Sequence, residues 1–402
     1  MAFELSAPRE GIPAVLDTVE DFESAAARLL AGTGPIAIDT ERASGFRFDD
    51  RAFLIQVRRR GVGTLLFAPE GLRDEFTAAL APVLNGQEWV IHAAPSDLPS
   101  LAWLGLYPGT LFDTELAGRL AGFDHVNLAA MISEVFDQQL AKGHGAEDWS
   151  KVPLPENWLS YAALDVELLL ELAEAMAEIL DQQGKLEWAE EEFAYIRAEH
   201  AGIVEPATLT WRDTRGVSTL TRPEQLAVAR ELWLARQSIA VDNDRAVSKV
   251  LPNKVLVEIA RVLPDSVAEL ARVKGFPRKR QSSTGFWFQI IHRARTSQPS
   301  TWPKRERSSR GAPHHSTWAN YHPEAWEALT HFRAGIEEIS LDLGIPVENL
   351  LQPSMAREAV WAATETREIG TENDLVGWLH DHGAREWQVE LVAPLLVDAL
   401  FR

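Results

Sequence analysis

Strand-like patterning runs through the first 195 residues and is gone by about residue 222, and this change limits the fold more than any other feature. A stretch that mixes short apolar runs with helical spacing folds as an α/β layer structure, and a helix-only remainder cannot extend its sheet. In the first half, Pro35–Thr40 (PIAIDT) is a short apolar run ending in polar residues. Phe53–Val57 (FLIQV) and Thr64–Phe67 (TLLF) also read as strands, separated by the turn formers Gly61-Val62-Gly63. These three segments predict a meander. Trp89–His92 (WVIH) predicts one more strand. Helical spacing covers Glu70–Leu84, Asp97–Leu104, Thr114–Ala121, Val126–Phe136 and Glu156–Asp181. The last reads as one long helix, with Leu159, Ala162, Ala163, Val166, Leu169 and Leu172 on one stripe.

In the second half, Leu251-Pro252, Leu263-Pro264 and Phe276-Pro277 punctuate residues 222–295 into four or five short helices. Residues 296–320, rich in Ser, Pro, Arg and His, read as a linker or long loop. Residues 322–402 resume as amphipathic helices with a break at Gly344-Ile345-Pro346. A chain of 402 residues exceeds one compact core. We therefore expect a first domain over residues 1–205 and a second over 206–300. Residues 301–402 would hold a basic linker and a third, helical domain.

No stretch approaches the roughly 20 apolar residues that cross a bilayer. The start, MAFELSAPREG, lacks a basic region followed by an apolar one. The chain has no cysteine, which excludes disulfides, thiolate metal ligands and a cysteine nucleophile, and fits a reducing cytoplasm. On these features we expect a soluble, cytoplasmic protein. Its net charge of −20 argues against a polyanionic partner for the body as a whole. Between Arg272 and Arg310, however, eleven Lys/Arg stand against one acid, Glu306. That segment is either a solubilising linker or a phosphate-attracting strip on an otherwise acidic body.

Asp39 and Glu41 stand at i and i+2 at the end of a predicted strand, so alternation puts both on one face. Two carboxylates that close to an apolar run repel each other and lose hydration unless a cation holds them. Hard oxygen ligands suit a divalent ion in that place. With 59 Asp and Glu in the chain, a carboxylate-x-carboxylate pattern arises by chance about nine times, so this pair needs company. Tyr161 and Asp165 share one face of a predicted helix, one turn apart. A tyrosine hydroxyl beside a carboxylate can orient a water for attack on a phosphate. Asp97 begins another predicted helix, where it is either a site residue or an acid complementing the helix dipole.

Taken together, these residues resemble the three exonuclease motifs of the DEDD superfamily, DEDDy branch, and most closely those of the bacterial ribonuclease D family. Asp39-Thr40-Glu41 is similar to the first motif, and Leu54-Ile55-Gln56 to the strand that follows it. His92-Ala93, Asp97-Leu98 and Leu101 resemble the second. Tyr161-Ala162-Ala163-Leu164-Asp165-Val166 resembles the third, and its tyrosine selects the branch. Asp148-Trp149 and Pro153-Leu154 precede it as in the family, but Val152 stands where the family has Arg. Trp211-Arg212, Leu220 and the segment Leu226–Leu270 resemble an HRDC domain, the helical module shared by RecQ-type helicases and ribonuclease D. Residues 322–402, with Pro346 and Leu350-Leu351, resemble a second, divergent module of that kind.

The resemblance implies a ribonuclease H-like exonuclease domain with a mixed sheet, followed by two all-α HRDC-type domains. It implies two divalent cations, Mg²⁺ or Mn²⁺, held by Asp39, Glu41, Asp97 and Asp165, with Tyr161 positioning the attacking water. Glu41 would also bond the terminal 3′-hydroxyl. The expected activity is 3′→5′ exoribonuclease, releasing nucleoside 5′-monophosphates from single-stranded RNA 3′ ends such as those of tRNA precursors. Phe46 and Phe53 are candidates for stacking on the last bases, with core packing the alternative for Phe53. His92 reads as structural. A DNA 3′→5′ exonuclease and a non-catalytic nucleic-acid-binding adaptor remain as alternatives. We expect a monomer with no protein partner and no membrane association.

Overall fold

The computed structural model describes residues 3–140, 143–277, 281–305, 312–313 and 315–401. The chain opens with β1 (Phe3–Leu5), β2 (Val15–Leu16), α1 (Val19–Ala31), β3 (Thr33–Arg42), β4 (Ala52–Arg60) and β5 (Gly63–Phe67). It continues through α2 (Arg73–Leu84), β6 (Glu88–Ile91), α3 (Leu98–Ala102), β7 (Thr110–Asp113), α4 (Thr114–Ala121), α5 (Leu128–Phe136) and β8 (Gln138–Leu140). Three helices close this half: α6 (Glu156–Glu167), α7 (Leu169–Gln182) and α8 (Leu186–His200).

The main sheet has six strands in the order β2-β5-β4-β3-β6-β7. β3, β4 and β5 pair antiparallel, which is the expected meander, while β3, β6 and β7 pair parallel. The sheet is therefore mixed. The cross-strand partners Thr40, Ile55 and Phe67 share one face, where Phe22 of α1 and Phe76 of α2 pack edge-on at 5.3 Å. On the opposite face, Leu54 and Leu66 form a small core with Trp149, Trp158, Ala162 and Ala163, so α6 lies across that side. Asp39 pairs with Gln56 and Glu41 with Leu54, which places both acids on the face that α6 covers.

The structure departs from the sequence reading in defined places. The single helix expected over Glu156–Asp181 is two, α6 and α7, which meet at Leu168 with φ −114° and ψ 10°. The strands β1, β2, β7 and β8 carry no expectation, because runs of two to four residues give too little alternation to read.

The second half is helical. α9 (Pro223–Asp242), α10 (Val247–Val250), α11 (Asn253–Val262), α12 (Val267–Leu270) and α13 (Gln281–Thr296) enclose a core of their own, including Leu232, Leu256, Ile259 and Ile291. After α14 (Trp318–Tyr321) come α15 (Pro323–Leu343), α16 (Val347–Leu350), α17 (Pro353–Thr364), α18 (Glu372–Asp381) and α19 (Glu386–Leu400). This last block shares one continuous hydrophobic cluster with the first half. Trp188 of α8 stacks on Trp387 of α19 at 5.2 Å, and Arg385 Nε meets Glu192 Oε1 at 2.6 Å. Among the described residues no helix is long and apolar enough to cross a membrane.

Candidate active site

Three of the expected acids converge. One oxygen each of Asp39, Glu41 and Asp165 lies within 4.8 Å of the others. Alternation along β3 supplies the first two and α6 the third. A shift in pairing follows at once: Glu41 faces Leu54 but Arg42 faces Ala52, so β4 carries an extra residue there. Such bulges bend a strand and re-aim its side chains. Tyr161 stands one turn before Asp165 on α6 and hydrogen-bonds to its carboxylate.

Asp97 lies beside this triple rather than within it. The parallel pairing of β3 with β6 delivers the chain leaving β6 to the end of β3. A tight turn then aims it. Ala93 takes φ +59°, and Asp113 accepts from the amides of Ala93 at 3.0 Å and Ala94 at 2.8 Å. Asp113 also caps α4 through the amides of Glu115 and Leu116. Asp97 stands at the N-cap of α3 but makes no side-chain cap bond to it. Its carboxylate instead accepts from Thr40 Oγ1 at 2.5 Å and Ser96 Oγ at 2.7 Å, with Arg42 Nη2 at 3.8 Å. Arg42 also donates to the Ser96 carbonyl, and Ser100 Oγ to the Asp97 carbonyl at 2.9 Å.

This crowding shows in the acidities. Burial, followed by repulsion from Asp97, Asp165 and Glu41, holds the Asp39 carboxyl well above its ordinary range. Burial and the charges of Asp165 and Asp97 push Glu41 up to about 9. Burial raises Asp165 to about 7 despite the bond from Tyr161, and raises Asp97 against the opposing pull of Arg42 and Thr40. Burial and the neighbouring acids drive the Tyr161 hydroxyl upward, so it stays a neutral donor. A cage of carboxylates that cannot all ionise unaided, offering oxygen donors only, fits a hard divalent cation.

The surroundings sort the remaining expectations. His92 is held near 4 by burial, and its Nδ1 lies 2.9 Å from Thr114 Oγ1, so it is neutral and structural. Phe53 is buried in the small core that contains Leu54 and Trp149. The Phe46 ring meets Lys249 Nζ at 5.4 Å and its carbonyl accepts from the Ala246 amide, which makes it a contact with the α9–α10 module. Val152 is fully exposed, and its neighbour Lys151 sits over the Trp158 ring at 5.1 Å. In the basic strip, Arg278, Lys279, Arg280, Arg307 and Arg310 lie outside the described residues, as does Glu306. Arg272, Lys274, Arg293, Lys304 and Arg305 are exposed, but Arg295 is committed to Glu224 and Asp265. The sequence reading missed Thr40, Arg42 and Asp113. The first two lie beside the motif acids, and proximity in sequence was the only signal for them.

Residues 13–181 match the family model "3'-5' exonuclease", residues 225–291 "HRDC domain" and residues 311–400 "3' to 5' exonuclease C-terminal domain". A mixed sheet that gathers these acids, together with that match, defines a 3′→5′ exonuclease. Ribonuclease D of Pseudomonas paraeruginosa is 31% identical over 67% of this chain and 71% of its own length. That of Gluconacetobacter diazotrophicus is 28% identical over 74% and 76%. The chain belongs to the ribonuclease D family and is a metal-dependent 3′→5′ exoribonuclease. Among solved structures, a protein from Bifidobacterium adolescentis superposes over 100% of both chains with TM-score 0.85 and 33% identity. Escherichia coli RNase D, described as an exoribonuclease involved in structured RNA processing, shares the fold over 97% and 98% with TM-score 0.69 and 23% identity.

Proposed function

We propose that Asp39, Glu41, Asp97 and Asp165 hold Mg²⁺ or Mn²⁺ and that the chain trims single-stranded 3′ tails from structured RNA such as tRNA precursors. The observation that carries this is the meeting of Asp39, Glu41 and Asp165 oxygens within 4.8 Å, beside a tyrosine kept neutral. When bound, the cations polarise the scissile phosphate and lower the pKa of the attacking water. Tyr161 orients that water through its hydroxyl while its bond to Asp165 fixes the ring. Glu41 accepts from the terminal 3′-hydroxyl, which makes a free end the preferred start. Asp97, pinned by Thr40 and Arg42, acts from just outside the triple.

The exposed members of the basic strip support a path for the RNA backbone, and contacts of that kind weaken steeply with salt. The domain limits of 1–205, 206–300 and 301–402 belong to this proposal, as does a second HRDC-type module in the last. The helix succession supports the latter: α15 to α17 repeat the long, one-turn, medium order of α9 to α11, each with an extended leucine before a proline-bounded helix. The test is digestion of a 5′-labelled RNA hairpin carrying a 3′ tail, beside its DNA counterpart, with Mg²⁺ or Mn²⁺. We expect stepwise shortening of the RNA tail to the stem and release of 5′-monophosphates. Internal cuts, or equal digestion of the DNA, would contradict the assignment.

A further inference from the structure

Asp97 is held by residues that face away from the other three acids. Alternation along β3 sends Thr40 and Arg42 to the face opposite Asp39 and Glu41. From there Thr40 Oγ1 reaches one Asp97 oxygen at 2.5 Å, and Ser96 Oγ reaches the other at 2.7 Å. Arg42 Nη2 stands 3.8 Å from the first oxygen, and the same guanidinium donates to the Ser96 carbonyl. Both oxygens of this carboxylate already have partners, and neither belongs to the group that Asp39, Glu41 and Asp165 form.

The two members of the ion pair differ in access. The Asp97 side chain is 3% exposed and the Arg42 side chain 28%, so solvent reaches the cation but not the acid. A guanidinium this near supplies the positive charge that a second divalent ion would otherwise bring to Asp97. Any cation approaching that carboxylate meets a fixed like charge, and with little water between them the repulsion is strong. The planar fork of arginine also matches the oxygens of a phosphate in a two-bond contact. A phosphate seated beside the acids therefore offers Arg42 a second partner, and Asp97 cannot follow it there.

We propose that Arg42 is a counter-ion gate on Asp97. In the free protein it neutralises this acid and weakens cation binding there; the phosphate of the substrate draws it off. Asp97 then becomes a full ligand only when an RNA 3′ end is in place. Arg42 is a positioning residue in this scheme, since it acts through Asp97. The inference rests on the carboxylate cluster being the catalytic centre.

The experiment is titration of metal-free protein with Mn²⁺, followed by electron paramagnetic resonance of the free ion, with and without adenosine 5′-monophosphate. The proteins are wild type, Arg42→Lys, Arg42→Gln and Asp39→Asn, each checked by thermal melting. For wild type alone we expect one tight and one weak site. Arg42→Gln should tighten the weak site about tenfold, a typical coupling between neighbouring sites. Arg42→Lys keeps the charge and should bind as wild type does. The monophosphate should tighten the weak site in wild type, and several-fold less in Arg42→Gln, which has no guanidinium to draw off. Weak sites of equal affinity in wild type and Arg42→Gln overturn the gate. An Arg42→Lys that behaves like Arg42→Gln also overturns it, because the charge would not be the cause. Asp39→Asn separates the two claims. If it keeps the tight site at wild-type strength, the carboxylate reading itself has failed; if it loses that site while the weak one ignores Arg42, only the gate has.

Discussion

Asp244, in the turn that follows α9, accepts from both Nη atoms of Arg51 at 3.2 and 2.8 Å. It also accepts from Arg47 Nη1 at 3.2 Å and from the Phe48 amide at 3.3 Å. One side chain of the helical module thereby grips the segment that leaves β3. Arg47 carries the connection onward, since its Nε donates to Ser150 Oγ at 2.7 Å and Ser150 to Asp148. The α9–α10 module, the β3–β4 segment and the loop before α6 are linked through this chain of bonds.

Replacing Asp244 by Ala should loosen that linkage without unfolding the sheet. Charged hydrogen bonds of this kind are worth about 1–3 kcal/mol where they are shielded. We expect faster amide exchange over residues 43–51, unchanged exchange in β3 and β6, and a fall in kcat/KM of about tenfold. Exchange and rate both at wild-type level would show that the contact is dispensable.

Gly143 marks a second dependence. A Cβ there would lie 2.9 Å from Tyr161 Cε2 and 3.2 Å from its hydroxyl oxygen, closer than side-chain atoms pack. Trp149 and His144 flank the same ring at 6.5 and 5.9 Å, so it has little room to yield. Gly143→Ala should displace the hydroxyl and lower kcat by about ten- to a hundredfold with KM little changed. A kcat at the wild-type value would mean that Tyr161 tolerates the shift or does not orient the reacting water.

The acid cluster predicts a pH dependence of definite sign. Asp165 rises from 3.8 to about 7 and Glu41 from 4.5 to about 9, burial being the first cause of each. Between the ordinary and raised values the folded protein holds more protons than the unfolded chain, so stability declines as pH climbs through that window. The metal-free melting temperature should fall from about pH 5 to 9, and Mg²⁺ or Mn²⁺ should flatten the decline by replacing protons. Calorimetry in two buffers of different ionisation enthalpy should register proton release on cation binding at neutral pH. A metal-free melting temperature that rises over this window would contradict the crowding.

Part of this was legible in the sequence. β3, β4 and β5 are apolar runs bounded by turn formers, and strand alternation alone puts Asp39 with Glu41. Helical spacing alone puts Tyr161 with Asp165. Asp97 is different: 57 residues separate it from Thr40, and their contact exists because β6 pairs beside β3, a sheet order that local pattern does not encode. The break at Leu168 was hidden because the apolar stripe runs on through both helices. Counting charge over-read Arg295, whose guanidinium the fold turns inward to Glu224. The Asp244 grip rests on one acid in a turn, and nothing in its neighbourhood of sequence distinguishes it.

The most direct test compares wild type with Asp39→Asn on 3′-tailed RNA under single-turnover conditions, with Mg²⁺ added and then chelated. Without divalent cations, the account predicts that Asp39→Asn melts no lower than wild type, since the neutral amide needs no proton to relieve the crowding that holds the Asp39 carboxyl above its ordinary range. It should cut about a thousandfold or more slowly, and wild type should stop when the cation is withdrawn. Equal cutting by the two proteins, or undiminished cutting by wild type without divalent cations, would contradict it.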